Sequence, residues 1–162
     1  MELWDILDEN GNATGEKIIR GRGMPKGKYH LAVHIWPKNS KGELLIQRRA
    51  LHLRDMPGEW AATSGSAIAG ETSLESAYRE LGEELGIYPI KEKIEFVCRI
   101  KRPRNFIDLY KMDIELDPSA LKLQDEEVCT AKWVSVNELK KMVQERKFHN
   151  YGKTYFDILF SI

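Results

Sequence analysis

The sequence predicts a mixed α/β or α+β sandwich, and three observations predict it. Strand-like runs bounded by turn residues recur along the chain. One helix is written out in full, with a cap at each end. The 162 residues suit one compact domain covering 1–162, with no internal repeat, low-complexity tract or linker. Strands interspersed with a few helices must bury one face against another layer, and a sheet covered by helices does so.

Leu3, Ile6 and Leu7 form a short apolar stretch that ends in the turn cluster Glu9-Asn10-Gly11-Asn12. Lys26 to Tyr29 lead into the strand-like run from His30 to Trp36. Pro37 to Gly42 reads as a loop and Leu44-Leu45-Ile46 as the returning strand of a hairpin. Met56-Pro57-Gly58-Glu59 is another turn, followed by an extended piece from Trp60 to Thr63. The helix runs from near Thr72 to near Gly86. Thr72 and Glu75 have capping-box spacing, and Gly86 stands where a left-handed residue closes a helix. Leu74, Ala77, Tyr78, Leu81 and Leu85 recur at three- and four-residue steps, as one amphipathic face requires. Ile94 to Ile100 and Phe106 to Ile114 read as paired strands around a Lys101–Asn105 turn. Lys132-Trp133-Val134 is a further strand, and Ser135 can cap a helix through Val143.

Composition removes several function classes. The chain is 42% hydrophobic and 31% charged, with 25 basic and 25 acidic residues, so it lacks the basic surplus of a general nucleic-acid or membrane-surface binder. No apolar run approaches the roughly 18 residues that cross a bilayer. The first ten residues carry Glu2, Asp5, Asp8 and Glu9 where a signal peptide is basic and then apolar. Cys98 and Cys129 are too few for a disulfide framework and lack zinc-ligand spacing. These features lead one to expect a reducing, cytoplasmic setting.

The helix carries a second face that stability alone does not explain. Glu80, Glu83 and Glu84 stand at i, i+3 and i+4, where like charges repel by a few tenths of a kcal/mol per pair. A cluster of carboxylates suits a hard divalent cation, which prefers carboxylate, water and phosphate oxygen. A merely solvated acidic face is the competing reading. Counted outward, the run is Gly65, five residues, Glu71, seven residues, then Arg79-Glu80-Leu81-Gly82-Glu83-Glu84-Leu85-Gly86-Ile87. This resembles the signature of the Nudix hydrolases, G-x5-E-x7-R-E-U-x-E-E-x-G-U with U aliphatic. All nine specified positions are filled over 23 residues.

The resemblance implies a Nudix-type α/β/α sandwich with a mixed central sheet. It implies a hydrolase that cleaves a diphosphate linkage, in a nucleoside diphosphate derivative or similar compound, by water attack on phosphorus. Glu80, Glu83 and Glu84 would bind Mg²⁺ or Mn²⁺. Members of the family differ in which carboxylate takes the proton from water, and Glu83 is the candidate here. Glu126 and Glu127 lie where many Nudix enzymes place an additional acid near the metals, and Glu127 is the second catalytic candidate. Arg79 and Glu71 would form a buried pair that fixes the loop against the helix, and Gly65 would let the backbone approach the metal. Gly82 fits a close-packing position.

Outside the motif, Arg49, with Arg48 beside it, is a candidate for diphosphate oxygens through its bidentate fork. Lys101, Arg102 and Arg104 read as soluble turn residues or a phosphate clamp. The four tryptophans read as packing residues, any one of which could stack on a ring, and the four histidines lack ligand spacing. The substrate's other moiety would be read near Lys26, Arg49, Arg104 and Tyr151. The expected partner is a small-molecule diphosphate, not a nucleic acid or membrane, and an exposed apolar edge would favour a homodimer.

The segments 42–49, 56–60 and 126–128 also resemble the Nudix branch that contains isopentenyl-diphosphate isomerase. That isomerase protonates an alkene with a cysteine placed just before the glycine aligned with Gly65 and has a histidine directly after it. Here Ser64 and Ser66 hold those positions. His30 and Glu127 could match other isomerase positions without rebuilding the site, and a serine hydroxyl is a far poorer acid than a thiol. A silent binding module would generally have lost a motif acid, and none is lost here.

Overall fold

Alternation in two adjacent strands organises the molecule. The computed structural model describes residues 1–89 and 94–162. Strand β3 (His30–Lys38) sends Val33 and Ile35 to one face and His34 and Trp36 to the other. In β4 (Leu44–Arg49), Leu45 joins the first set and Leu44 and Ile46 the second. Both faces are therefore apolar, and the sheet needs cover on both sides. Helix α1 (Ser73–Leu85) covers the first face through Ala77, Leu81 and Leu85. Helices α2 (Val136–Gln144) and α3 (Lys153–Leu159) cover the second through Leu139, Met142, Tyr155, Phe156 and Leu159. The layers are those of an α/β/α sandwich.

The other strands are β1 (Leu3–Leu7), β2 (Ala13–Ile19), β5 (Trp60–Ala61), β6 (Thr63–Ser66), β7 (Glu95–Lys101), β8 (Asn105–Asp113) and β9 (Val128–Val134). The main sheet is mixed, ordered β5-β4-β3-β8-β7, with β6 on β3 and β9 on β4. Strands β3 and β8 run parallel while the remaining pairs are antiparallel. β1 and β2 form a separate hairpin. Among the described residues no helix is long and apolar enough to cross a membrane.

Four features depart from the sequence expectations. Strand β2 goes unsignalled because Ala13 to Lys17 are exposed and carry no apolar alternation. Strand β3 continues through Pro37 and Lys38, which pair with Met112 and Asp113, so the loop starts later than expected. Helix α3, with seven residues, is too short to display a period. On α1, Leu74 and Tyr78 are exposed while Ser76, Glu80 and Glu84 are buried, so the inward face is turned toward the glutamates.

Tyr155 fastens α3 to β3. Its hydroxyl accepts from Trp36 Nε1 at 2.8 Å, which leaves its own proton for Nδ1 of His34 at 2.7 Å. His34 is held neutral: burial, then the charges of Arg102 and His149, depress its pKa to about 3. The Tyr155→Phe variant orphans two buried ring nitrogens, so its stability in urea should fall by about 2 kcal/mol. An unchanged midpoint and slope would contradict this role.

Candidate functional site

The site is built where α1 meets β6. Thr72 caps the helix in a complete capping box: its side chain accepts from Glu75 N at 3.2 Å, and Glu75 Oε2 accepts from Thr72 N at 2.8 Å. Gly86 closes the helix at φ 66°. Between these ends Ala77, Leu81 and Leu85 seat the helix on β3 and β4, and that seating carries Glu80 and Glu84 out of water, to 8% and 5% exposure. Gly65 permits the contact, since a Cβ there would stand 2.0 Å from Glu80 Oε1.

Arg79 ties loop, strand and helix together. Its Nε donates to Glu71 Oε1 at 2.6 Å and its two terminal nitrogens reach Glu71 Oε2, Glu80 Oε1, Glu83 Oε2 and the Ser66 carbonyl. Glu71 also accepts from Ser76 Oγ at 2.6 Å and from the Ile68 N–H at 2.9 Å. Burial alone would raise the Glu71 pKa, but the hydrogen bonds from Arg79, Ser76 and Ile68 outweigh it and hold the carboxyl at about 2. Arg79 and Glu71 therefore make an ion pair, half-buried at 21% and 20% side-chain exposure where a buried one was expected.

Glu84 has a different environment. Gln47 Nε2 donates to Glu84 Oε2 at 2.9 Å, and Thr63 Oγ1 donates to Gln47 Oε1 at 3.0 Å, which fixes the amide's orientation. The Ser64 backbone N–H also favours the anion. Against these donors, burial first and then the charges of Glu80 and Glu127 raise the Glu84 pKa well above the usual carboxylate range. Burial likewise pushes Glu80 up to about 7, opposed by Arg79 and reinforced by Glu83. Two buried carboxyls are thus crowded together, with Glu127 half-buried close enough to add its charge, while Glu83 stands at the more exposed rim.

No three His, Cys, Asp or Glu side chains among the described residues converge on one point as a ready cage, and Arg79 engages both Glu80 and Glu83. The Gln47–Thr63 pair was missed in the sequence. Its signal is present in β4, where Gln47 is a polar residue two positions from Leu45 on the buried face.

The other candidates disperse. Arg49 gives its fork to the Asp55 carbonyl at 2.9 and 3.1 Å, although its charge reaches Tyr151, which also feels Glu84. Lys101 lies over the rings of Tyr29 and Phe106, and Arg102 bonds the Tyr151 carbonyl. Trp36 is core, Trp4 stacks on His30 at 4.1 Å, and Trp133 Nε1 donates to the Leu116 carbonyl. Gly82 faces Tyr88, whose ring would be 2.5 Å from an added Cβ, so the close-packing reading of that glycine suffices. Glu126 is exposed. Ser64 and Ser66 flank Gly65 on β6.

Known proteins resemble this chain in sequence and in fold. The family model described as NUDIX domain matches residues 28–154. An uncharacterized Nudix hydrolase of Listeria monocytogenes is 37% identical over 152 residues, covering 93% of this chain and 90% of that protein. An isopentenyl-diphosphate Delta-isomerase of Streptomyces coelicolor is 29% identical over 161 residues, covering 96% of this chain and 82% of that one. Among solved structures, a Deinococcus radiodurans protein superposes with a TM-score of 0.82 at 17% identity, over 99% of this chain and 98% of that one. At that identity the likeness speaks for the fold.

The Arg79→Lys variant keeps the charge but cannot span Glu71, Glu80 and the Ser66 carbonyl. Its unfolding free energy in urea should fall by about 2 kcal/mol at pH 7, less than for a fully buried pair because the site is partly solvated. The contribution of Glu71 should be present above its ordinary pKa of 4.5 and disappear as pH falls through about 2. Equal stabilities at neutral pH would refute the anchoring role.

Proposed function

The chain belongs to the Nudix hydrolase family, and from that membership we propose that it cleaves a diphosphate linkage, in a nucleoside diphosphate derivative or similar small molecule, by water attack on phosphorus. The observation that carries this reading is the burial of Glu80 and Glu84 beside one another at the Gly65 contact. Two buried carboxyls so placed fit a hard divalent cation, Mg²⁺ or Mn²⁺, held by Glu80 and Glu84 with Glu83 at the rim. When bound, such an ion neutralises diphosphate charge and acidifies water.

The chain's own groups have separable tasks. Gln47, fixed by Thr63, holds Oε2 of Glu84, and the Ser64 N–H also favours its anion. Arg79 holds Glu80 and, through Glu71, keeps β6 and the following loop against the helix. Glu83, the most accessible of the three glutamates, takes the proton as water oxygen bonds to phosphorus and the bridging P–O bond breaks. Glu127, the residue before β9 and near enough for its charge to act on Glu84, is the alternative acceptor. Arg49 would meet the diphosphate by releasing the Asp55 carbonyl.

A second reading draws on the similarity to isopentenyl-diphosphate isomerase. It asks Ser64 to supply a proton that a hydroxyl gives up poorly, so hydrolysis is preferred.

The test is release of phosphate products from a panel of nucleoside triphosphates, dinucleotides, nucleotide sugars and prenyl diphosphates, each with Mg²⁺, with Mn²⁺ and with chelator. Cleavage should require metal. Glu84→Gln should lower it about a hundredfold or more without lowering the melting temperature, since a neutral amide replaces a buried carboxyl. A wild-type rate in that variant would remove Glu84 from the site. Interconversion of the two five-carbon diphosphates would select the isomerase reading.

A further inference from the structure

Arg48 and Arg49 part company on β4 because successive side chains leave opposite faces of a strand. Arg48 goes to the α2 face and lines a cavity of about 550 Å³ between the 57–60 turn, β9 and α2. It is half-buried, its Nε donates to the Gly58 carbonyl at 2.9 Å, and it forms no ion pair among the described residues. A half-buried guanidinium with no paired carboxylate keeps terminal N–H donors available for an anion.

Arg146 lines the same cavity and an adjoining one of about 440 Å³. It follows the C-cap Glu145 of α2 with φ 60°. Its N–H reaches the Val143 carbonyl at 3.2 Å and the Lys147 N–H reaches the Met142 carbonyl at 2.8 Å, which closes the helix in a Schellman turn. Glycine occupies that position without strain and a side chain does not. Backbone strain of this kind concentrates at functional positions. Arg146 also forms no ion pair among the described residues.

The neighbouring charges are each engaged, and the cavity's lysines and arginines outnumber its three carboxylates. Lys132 lies 3.7 Å from Glu138 and 4.8 Å over the Trp60 ring. Lys147 and Lys141 share Glu145 at 3.1 and 3.9 Å, and Glu59 meets Nδ1 of His149 at 2.9 Å, an ion pair only when the imidazole is protonated. Two guanidinium groups are left facing one cavity, with Trp60 in its wall.

We propose that this cavity is a binding site for a phosphate-bearing anion, separate from the carboxylate cluster, with Arg48 and Arg146 as its two forks. A phosphate group has enough oxygens to accept from both forks at once. Gln47 and Arg48 leave opposite faces of β4, so the sheet divides this site from Glu84.

Inorganic pyrophosphate titrated into metal-free protein with chelator, followed by calorimetry and tryptophan fluorescence, tests the site. One-site binding should appear in calorimetry, and its fluorescence change should vanish in Trp60→Phe. Arg146→Gly should raise the melting temperature, by relieving the strain, while weakening binding about tenfold or more. Arg146→Lys should fall between, and Glu84→Gln should bind like wild type. Competition by adenosine monophosphate would identify a phosphate ester as the ligand and its absence a free diphosphate, both within the proposal. The proposal is overturned if wild type takes up no pyrophosphate, or if Arg146→Gly gains stability at unchanged affinity. It is equally overturned if affinity follows Glu84→Gln, which would put the anion at the carboxylates.

Discussion

The close seating of α1 on β6 at Gly65 is the constraint on which the rest of the site depends. Because no Cβ intervenes, the helix approaches until Glu80 lies against the strand and Glu84 sits one turn further along, both out of water. Burial favours their neutral forms, while Arg79, Gln47 and the Ser64 N–H favour the anions. A helix selected for stability alone would turn Leu74 and Tyr78 inward. This one leaves them exposed and buries acids instead.

Such an arrangement persists only if its surroundings over-determine it. Arg79 does so from the loop side, through a carboxylate that itself accepts from Ser76 and Ile68. The Gln47–Thr63 pair does so from the sheet side, presenting a fixed donor to Glu84 from a strand whose next inward residue is Leu45. The polar groups of the site are therefore held by the same β3–β4–β6 unit that carries the apolar core. Deforming the site would require unpacking the sheet.

How much of this was legible in the sequence follows from where each signal resides. The bounds of helix α1 were legible because Thr72, Glu75 and Gly86 act locally, but its inward face was not, since Leu74 and Tyr78 stay exposed and Glu80 and Glu84 are buried. The Arg79–Glu71 pair came from the motif and is present in the structure. Gln47 was not legible, since its role depends on Thr63 and Glu84, distant in sequence and joined only by the sheet. Strand β2 is held by pairing with β1 and not by burial, and α3 by Tyr155 and Phe156 packing on a core assembled elsewhere. The fork expected of Arg48 and Arg49 together was divided by strand alternation, which the sequence contains but two adjacent arginines do not announce.

The central claim is that Glu80 and Glu84 are crowded together to receive a cation, and proton release tests it most directly. With burial pushing Glu80 up to about 7 and Glu84 well above the usual carboxylate range, a cation must displace protons to bind. Calorimetric titration of Mn²⁺ into metal-free protein, between about pH 6 and 8 and in buffers of different ionisation enthalpy, counts them. The account predicts proton release that grows as pH falls below 7, with affinity that rises with pH. Mn²⁺ binding with no proton release and no pH dependence, or no binding at all, would contradict it.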